Sequence, residues 1–143
     1  MVHALAESWR ILKFGGGLID LRPYKSKWPV EIVSRDTQIL AGRLVGNKNG
    51  LSDDEASDNA ISEVIHRGWF KEERKEFFEY AYYWDTVDQM NEYVKTEWSN
   101  IAIIPANVLS NAQRIARVAG ERVQIRIRRI MLIARYRKMT KDK

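Results

Sequence analysis

Asp20, Arg22 and Tyr24 alternate along a short, largely apolar run. In extended chain Asp20 and Arg22 would project a carboxylate and a guanidinium from one face near the carboxyl end of a short strand, with the Tyr24 phenol just beyond it. Such a trio could bind and orient a polar substrate, and ligands of open α/β sheets gather outside the carboxyl ends of strands. These three are therefore the substrate-facing candidates. The plainer reading, which is favoured, makes Asp20 and Arg22 an internal ion pair, because a charge taken out of water must be matched.

Other chemistry is thinly supplied. His3 and His66 have no ligand-spaced partner and the chain has no cysteine, so no metal site, thiolate or disulfide framework is expected. No Ser-His-Asp arrangement can be assembled, and no catalytic residue is assigned. Tyr80, Tyr82, Tyr83 and Trp84 could wall a substrate, although aromatics at alternate strand positions more often pack a core. Arg122, Arg126 and Arg128 alternate on one strand and are the nucleic-acid candidates. The net charge of +5 is unevenly placed, with arginines crowding the last thirty residues and acids collecting at 53–58 and 72–79. Pairing between an acidic strand and a basic one is the favoured account of that asymmetry.

The elements that would position these side chains follow from periodicity. Val2, Leu5, Trp9 and Leu12 form a helical stripe that Gly15-Gly16-Gly17 stops. Leu18-Ile19-Asp20-Leu21 suits a short strand covered on both faces and ends at Pro23. Residues 30–33 and 38–44 predict a hairpin around Arg35-Asp36-Thr37. A polar loop over 46–50 leads to a helix opened by Ser52, with Glu55 completing a capping box. Ala56, Ala60, Ile61, Val64 and Ile65 form its buried face, and Gly68 closes it.

The aromatic-rich stretch 70–84 predicts a long strand in its second part, and Asp85-Thr86 caps a helix with Gln89 at the capping-box position. Pro105 starts another helix, lined by Leu109, Ala112, Ala116 and Ala119 and ended by Gly120. Val123, Ile125 and Ile127 then alternate with polar residues until Arg128-Arg129, where the apolar phase slips by one, as at a β-bulge. From Ile130 to Ala134 the run is apolar on both faces, and a charged, frayed tail is expected beyond Arg137. With 143 residues the chain has room for one domain, 1–143. The amphipathic start is neither signal peptide nor membrane span, so no membrane association is expected and the cytoplasm is the default location.

Three segments in this order resemble the C-terminal half of class I S-adenosylmethionine-dependent methyltransferases. Trp9-Arg10-Ile11-Leu12-Lys13-Phe14-Gly15-Gly16-Gly17-Leu18-Ile19-Asp20 is similar to the family's helix running into its fifth strand, commonly R-V-L-K-P-G-G and then apolar residues, with Phe14 where proline is usual. Residues 82–90, Tyr-Tyr-Trp-Asp-Thr-Val-Asp-Gln-Met, look like the exit from the sixth strand. Residues 131–138, Met-Leu-Ile-Ala-Arg-Tyr-Arg-Lys, resemble the closing strand.

The resemblance implies an α/β, Rossmann-like partial sheet flanked by helices and carrying an inserted β-hairpin. Its strands correspond to the family's last three in mixed orientation, with an antiparallel final strand between the other two. The resemblance also implies a cofactor cradle, made by a Gly-rich strand-to-helix turn and an acidic residue, which these residues lack. Gly15–17 follows a helix instead and reads as a C-cap. The expectation is a methyltransferase-like chain that binds no cofactor alone and takes S-adenosylmethionine only when a partner chain completes it: a split subunit, a remnant or a truncated form. The alternative is a non-catalytic module binding nucleic acid through its basic strand face. Unpaired backbone along residues 18–21 points to homo-oligomerisation, or to docking of a complementary half, through that edge and the first helix.

Overall fold

The computed structural model describes residues 2–24, 27–120 and 122–139. The chain is α/β, with six strands in antiparallel ladders flanked by helices: α1 (Val2–Ile11), β1 (Gly17–Pro23), β2 (Trp28–Val33), β3 (Gln38–Gly46), α2 (Lys48–His66), β4 (Phe70–Trp84), α3 (Val87–Glu97), β5 (Ala102–Ile103), α4 (Ala106–Ala119) and β6 (Gln124–Lys138). Among the described residues, no helix is long and apolar enough to cross a membrane. The chain divides into two compact units, one of residues 1–24, 52–78 and 131–143, the other of residues 25–51 and 79–130. Strands β4 and β6 contribute to both.

In the first unit β1 runs antiparallel to β6, from Gly17 opposite Arg137 to Pro23 opposite Met131. Strand β4 also pairs with β6. The core joins Val64, Phe70, Ala134 and Tyr136 to Leu5, Trp9 and Leu12 of the α1 stripe, Leu18 of β1, and Ile61 and Ile65 of α2. Only one face of β1 is covered, which corrects the expectation of burial on both: Ile19 and Leu21 are each 57% exposed. The same holds for the closing strand, where Leu132 and Ala134 are buried while Ile133 is exposed.

Helix α2 starts at Lys48, inside the expected polar loop, so Ser52 is an interior position and not a cap. A glycine within a helix costs only about 1 kcal/mol, and Gly50 does not stop this one. Ala56 is exposed, leaving Ala60 and Val64 with half-buried Ile61 and Ile65 as the packed face. Gly68, at φ 69°, takes the left-handed turn after the helix. The expected frayed tail is corrected at Lys138, which ends β6 and is buried. Its ammonium donates to the Leu12 carbonyl at 2.7 Å and lies over the Trp9 ring. The last four residues lie outside the described set.

In the second unit the expected hairpin forms: β2 and β3 pair antiparallel around the turn at residues 34–37, and β2 also pairs with β6 over residues 124–127. The hairpin is thus an integral part of a ladder. A register shift falls between Val30, opposite Gly42, and Glu31, opposite Leu40. Gly42 has φ 152°, and a β-carbon there would lie 2.5 Å from a Val108 methyl. Helix α3 begins as its residues predict, with Thr86 Oγ1 accepting from the Gln89 amide and the Gln89 side chain accepting from the Asp85 amide. Pro105 is the N-cap of α4, one residue before the position expected for it. The core packs Met90, Val94 and Trp98 of α3 and Val108, Ala112 and Ile115 of α4 against Val30, Ile32, Ile125 and Ile127.

Strand β6 changes phase at Ile130 and Met131, two residues beyond the Arg128-Arg129 step expected from its sequence, because Arg129 keeps the buried phase by stacking on Trp28 and Trp98. Ile125, Ile127 and Arg129 are buried in the stretch belonging to the second unit, and Leu132, Ala134, Tyr136 and Lys138 in the stretch belonging to the first.

Candidate functional site

Two polar clusters stand out, one in each unit. The first lies on β1. Leu18 turns into the core, and alternation then brings Asp20 and Arg22 to the same side, opposite Ala134 and Leu132. Arg22 Nε donates to Asp20 Oδ2 at 3.0 Å, and Arg22 Nη2 donates to Asp58 Oδ1 of α2 at 2.5 Å. The Arg22 and Asp20 side chains keep only 15% and 16% of their exposure, whereas Asp58 keeps 39%. Burial pushes the Arg22 guanidinium toward a lower pKa, but its hydrogen bonds to Asp58 and Asp20 outweigh this and hold it above its ordinary value. Beside them Tyr136 is 1% exposed. Burial pushes its phenol up to about 12, and the negative charges of Glu72, Asp20 and Asp58 add to the effect against the opposing charge of Arg22.

Asp20 and Arg22 are therefore brought together as an ion pair, extended by a carboxylate that the sequence did not single out. Tyr24 does not join them. Its ring meets Phe77 edge-on, with centroids 4.8 Å apart. A guanidinium clamped between two carboxylates is positioned chemistry: it can orient a polar neighbour, but both its observed bonds are internal.

The second cluster centres on Glu31. It is a single charge within Val30-Glu31-Ile32-Val33, and the structure buries it to 2% exposure. Arg126 Nε donates to Glu31 Oε2 at 2.8 Å, and Arg128 Nη2 donates to Oε1 at 2.7 Å. Gln38 adds a third donor. Burial pushes the Glu31 carboxyl up, yet the bonds from Arg128 and Arg126 hold it below its ordinary value. Arg128 also bonds Glu79 at 3.1 Å. Arg122 stands exposed ahead of β6 and does not join them. Two of the three arginines considered for phosphate contacts are thus committed to carboxylates of the same unit. Glu73 likewise pairs with Arg135, at 3.0 Å, and with Arg137. The acidic and basic strands compensate each other, as the charge distribution suggested.

The aromatic wall is a packed cluster in the second unit. Tyr82, Trp84, Tyr93 and Trp98 meet with centroids 4.9–6.2 Å apart. Arg129, nearly buried, stacks 4.0 Å from the Trp28 centroid and 5.3 Å from that of Trp98. Tyr80 is half exposed and Tyr83 faces away from this core. Among the described residues, no group of three or more His, Asp or Glu side chains could hold a metal.

Residues 15–17 do not fit a nucleoside cofactor. The Gly16 amide donates to the Lys13 carbonyl at 2.9 Å and the Gly15 amide to the Lys138 carbonyl at 3.3 Å. A β-carbon on Gly16 would lie 2.7 Å from the Lys13 carbonyl oxygen, so the glycine serves the turn itself. Both amides are spent within the fold, at a helix C-terminus that repels anions. Compared with known proteins, the chain matches no protein-family profile, no curated protein and no solved structure.

Proposed function

We propose that these residues are the C-terminal, acceptor-side part of a class I methyltransferase-type sheet, inactive without a nucleoside-binding half supplied by another polypeptide segment. One observation carries the reading. The closing strand β6 pairs antiparallel with β1 along the whole of residues 17–23 and pairs with β4 as well, the neighbours that the sequence resemblance implies for a final strand. The exposure of Ile19 and Leu21 adds support, because an apolar sheet face of this kind invites a covering layer. In this reading the missing half docks through the β1 edge, and the Asp20–Arg22–Asp58 cluster stiffens the end of β1 near the acceptor.

Calorimetric titration of the chain with S-adenosylmethionine, before and after co-purification from its native source, tests this. The expected result is no binding by the chain alone, and binding by a complex whose second member carries a Gly-rich strand-to-helix turn. Tight binding within a single copy of this chain would overturn the claim that the cradle lies elsewhere. A stable native complex that does not bind the nucleoside would overturn the methyltransferase reading.

A further inference from the structure

Over residues 74–80 strand β4 is exposed at every position. Among the described residues its one strand partner is β6, so its other row of backbone donors and acceptors is open. Edge strands usually carry charges that discourage pairing. Here large aromatics stand among the charges: Phe77 is 52% exposed, Phe78 41% and Tyr80 49%. The order of the charges is also self-complementary. An antiparallel pairing with a two-fold axis at Phe77 sets Lys75 of each copy opposite Glu79 of the other. It also sets Phe77 against Phe77, and each Arg74 against a Tyr80 ring.

Neighbouring registers bring like charges together or lose these pairs. With the axis at Glu76, Glu76 faces itself and Glu73 faces Glu79. With the axis at Lys75, Arg74 faces Glu76 and Lys71 faces Glu79, but Lys75 faces itself at the centre, and Arg74 and Glu76 already pair within their own strand. With the axis at Phe78, neither Lys75–Glu79 pair forms. Existing contacts leave the charged pairs of this register open, and the Phe77 ring, although it meets Tyr24 edge-on, stays half exposed. Arg74 bonds Glu76 of its own strand, and Glu79 accepts from Arg128 while remaining 59% exposed. A carboxylate can take more than one donor. We propose that the chain binds a second copy of itself through the open edge of β4, antiparallel and centred on Phe77.

Sedimentation equilibrium of the wild type, Lys75→Glu and Glu79→Lys tests the register, with circular dichroism checking that each variant folds. The wild type is expected to self-associate. Each reversal turns two attractions into two repulsions and weakens the dimer about tenfold. An equimolar mixture restores it, because both facing pairs are then opposite in sign. Phe77→Asp leaves both charges in place and is expected to weaken association through like charges at the axis, which keeps the register testable if Glu79→Lys fails to fold. A wild type that stays monomeric over a hundredfold concentration range overturns the proposal. So does association unaffected by folded reversals, or a mixture of folded reversals that does not recover.

Discussion

Arg128 holds Glu31 through two bonds, from Nε at 3.0 Å to Oε2 and from Nη2 at 2.7 Å to Oε1, so a fork of donors closes on a carboxylate almost wholly removed from water. Removing that carboxylate leaves Arg126 and Arg128 facing each other. A fully buried pair broken on one side costs about 3–5 kcal/mol. These guanidiniums retain 18% and 31% of their side-chain exposure, so Glu31→Gln is expected to cost about 2–3 kcal/mol by urea denaturation.

The same carboxylate sets an acid limb. Its folded pKa is lowered, so its contribution to stability is complete above the ordinary Glu value, about 4.3. It is lost as pH falls through the lowered folded value. Urea midpoints measured from pH 6 down to pH 3 should fall more steeply in the wild type than in Glu31→Gln. Parallel profiles would show that Glu31 is not the group responsible.

Tyr136 governs the alkaline side. Its folded pKa of about 12 lies above the unfolded value of about 10. Its stabilisation is whole below the unfolded value and disappears as pH climbs through the folded one. Ultraviolet titration should find a tyrosine that ionises near pH 12 or only on unfolding, and Tyr136→Phe should remove that late step. Tyr93 is also raised, chiefly by burial and then by Tyr82 and Glu97, so a smaller delayed fraction should persist in the variant.

Gly42→Ala is expected to destabilise the second unit by about 1–3 kcal/mol, since the added carbon meets the Val108 methyls and the backbone angle suits glycine alone. The double variant Gly42→Ala/Val108→Ala should cost less than the sum of the two single changes, because the collision is relieved. Simple additivity in the denaturation energies would place the strain elsewhere.

Thr86→Ala removes the acceptor for the Gln89 amide and should cost about 1 kcal/mol, visible as a lower urea midpoint. Thr86→Asp should restore most of that loss, because its carboxylate also accepts the amide and favours the helix N-terminus.

Where local chemistry decided the structure, the residues announced it. The α1 stripe, the Thr86 cap and the hairpin around residues 34–37 all rest on spacing or on a side chain bonding its own neighbourhood, whereas the phase change in β6 falls two residues later than spacing placed it because the buried Arg129 stacks on two indoles. The start of α2 did not, because Ser52 and Glu55 fit a cap equally well when the preceding turn is ignored. Burial of β1 was misjudged because an apolar run does not reveal which faces its neighbours cover. Within the candidate site, Asp20 and Arg22 were legible through their two-residue spacing. Asp58 was hidden, since its partner lies 36 residues away and only the packing of α2 brings them together. Glu31 carried a readable signal as a lone charge in an apolar strand, and a strand that buries such a group must supply cations from a neighbour.

The Lys138 ammonium on the Leu12 carbonyl joins residues 126 positions apart. Its unit takes its three pieces from the early, middle and late parts of the chain, whereas every residue of the other unit precedes Met131. In synthesis from the N-terminus the first unit is therefore the later of the two to have all its residues. Until residues 131–138 are available, α1, β1 and α2 must hold apolar surface in water, and a chaperone has its longest opportunity there. A chain cut after Ile130 would keep every residue of the second unit and lack the last strand of the first.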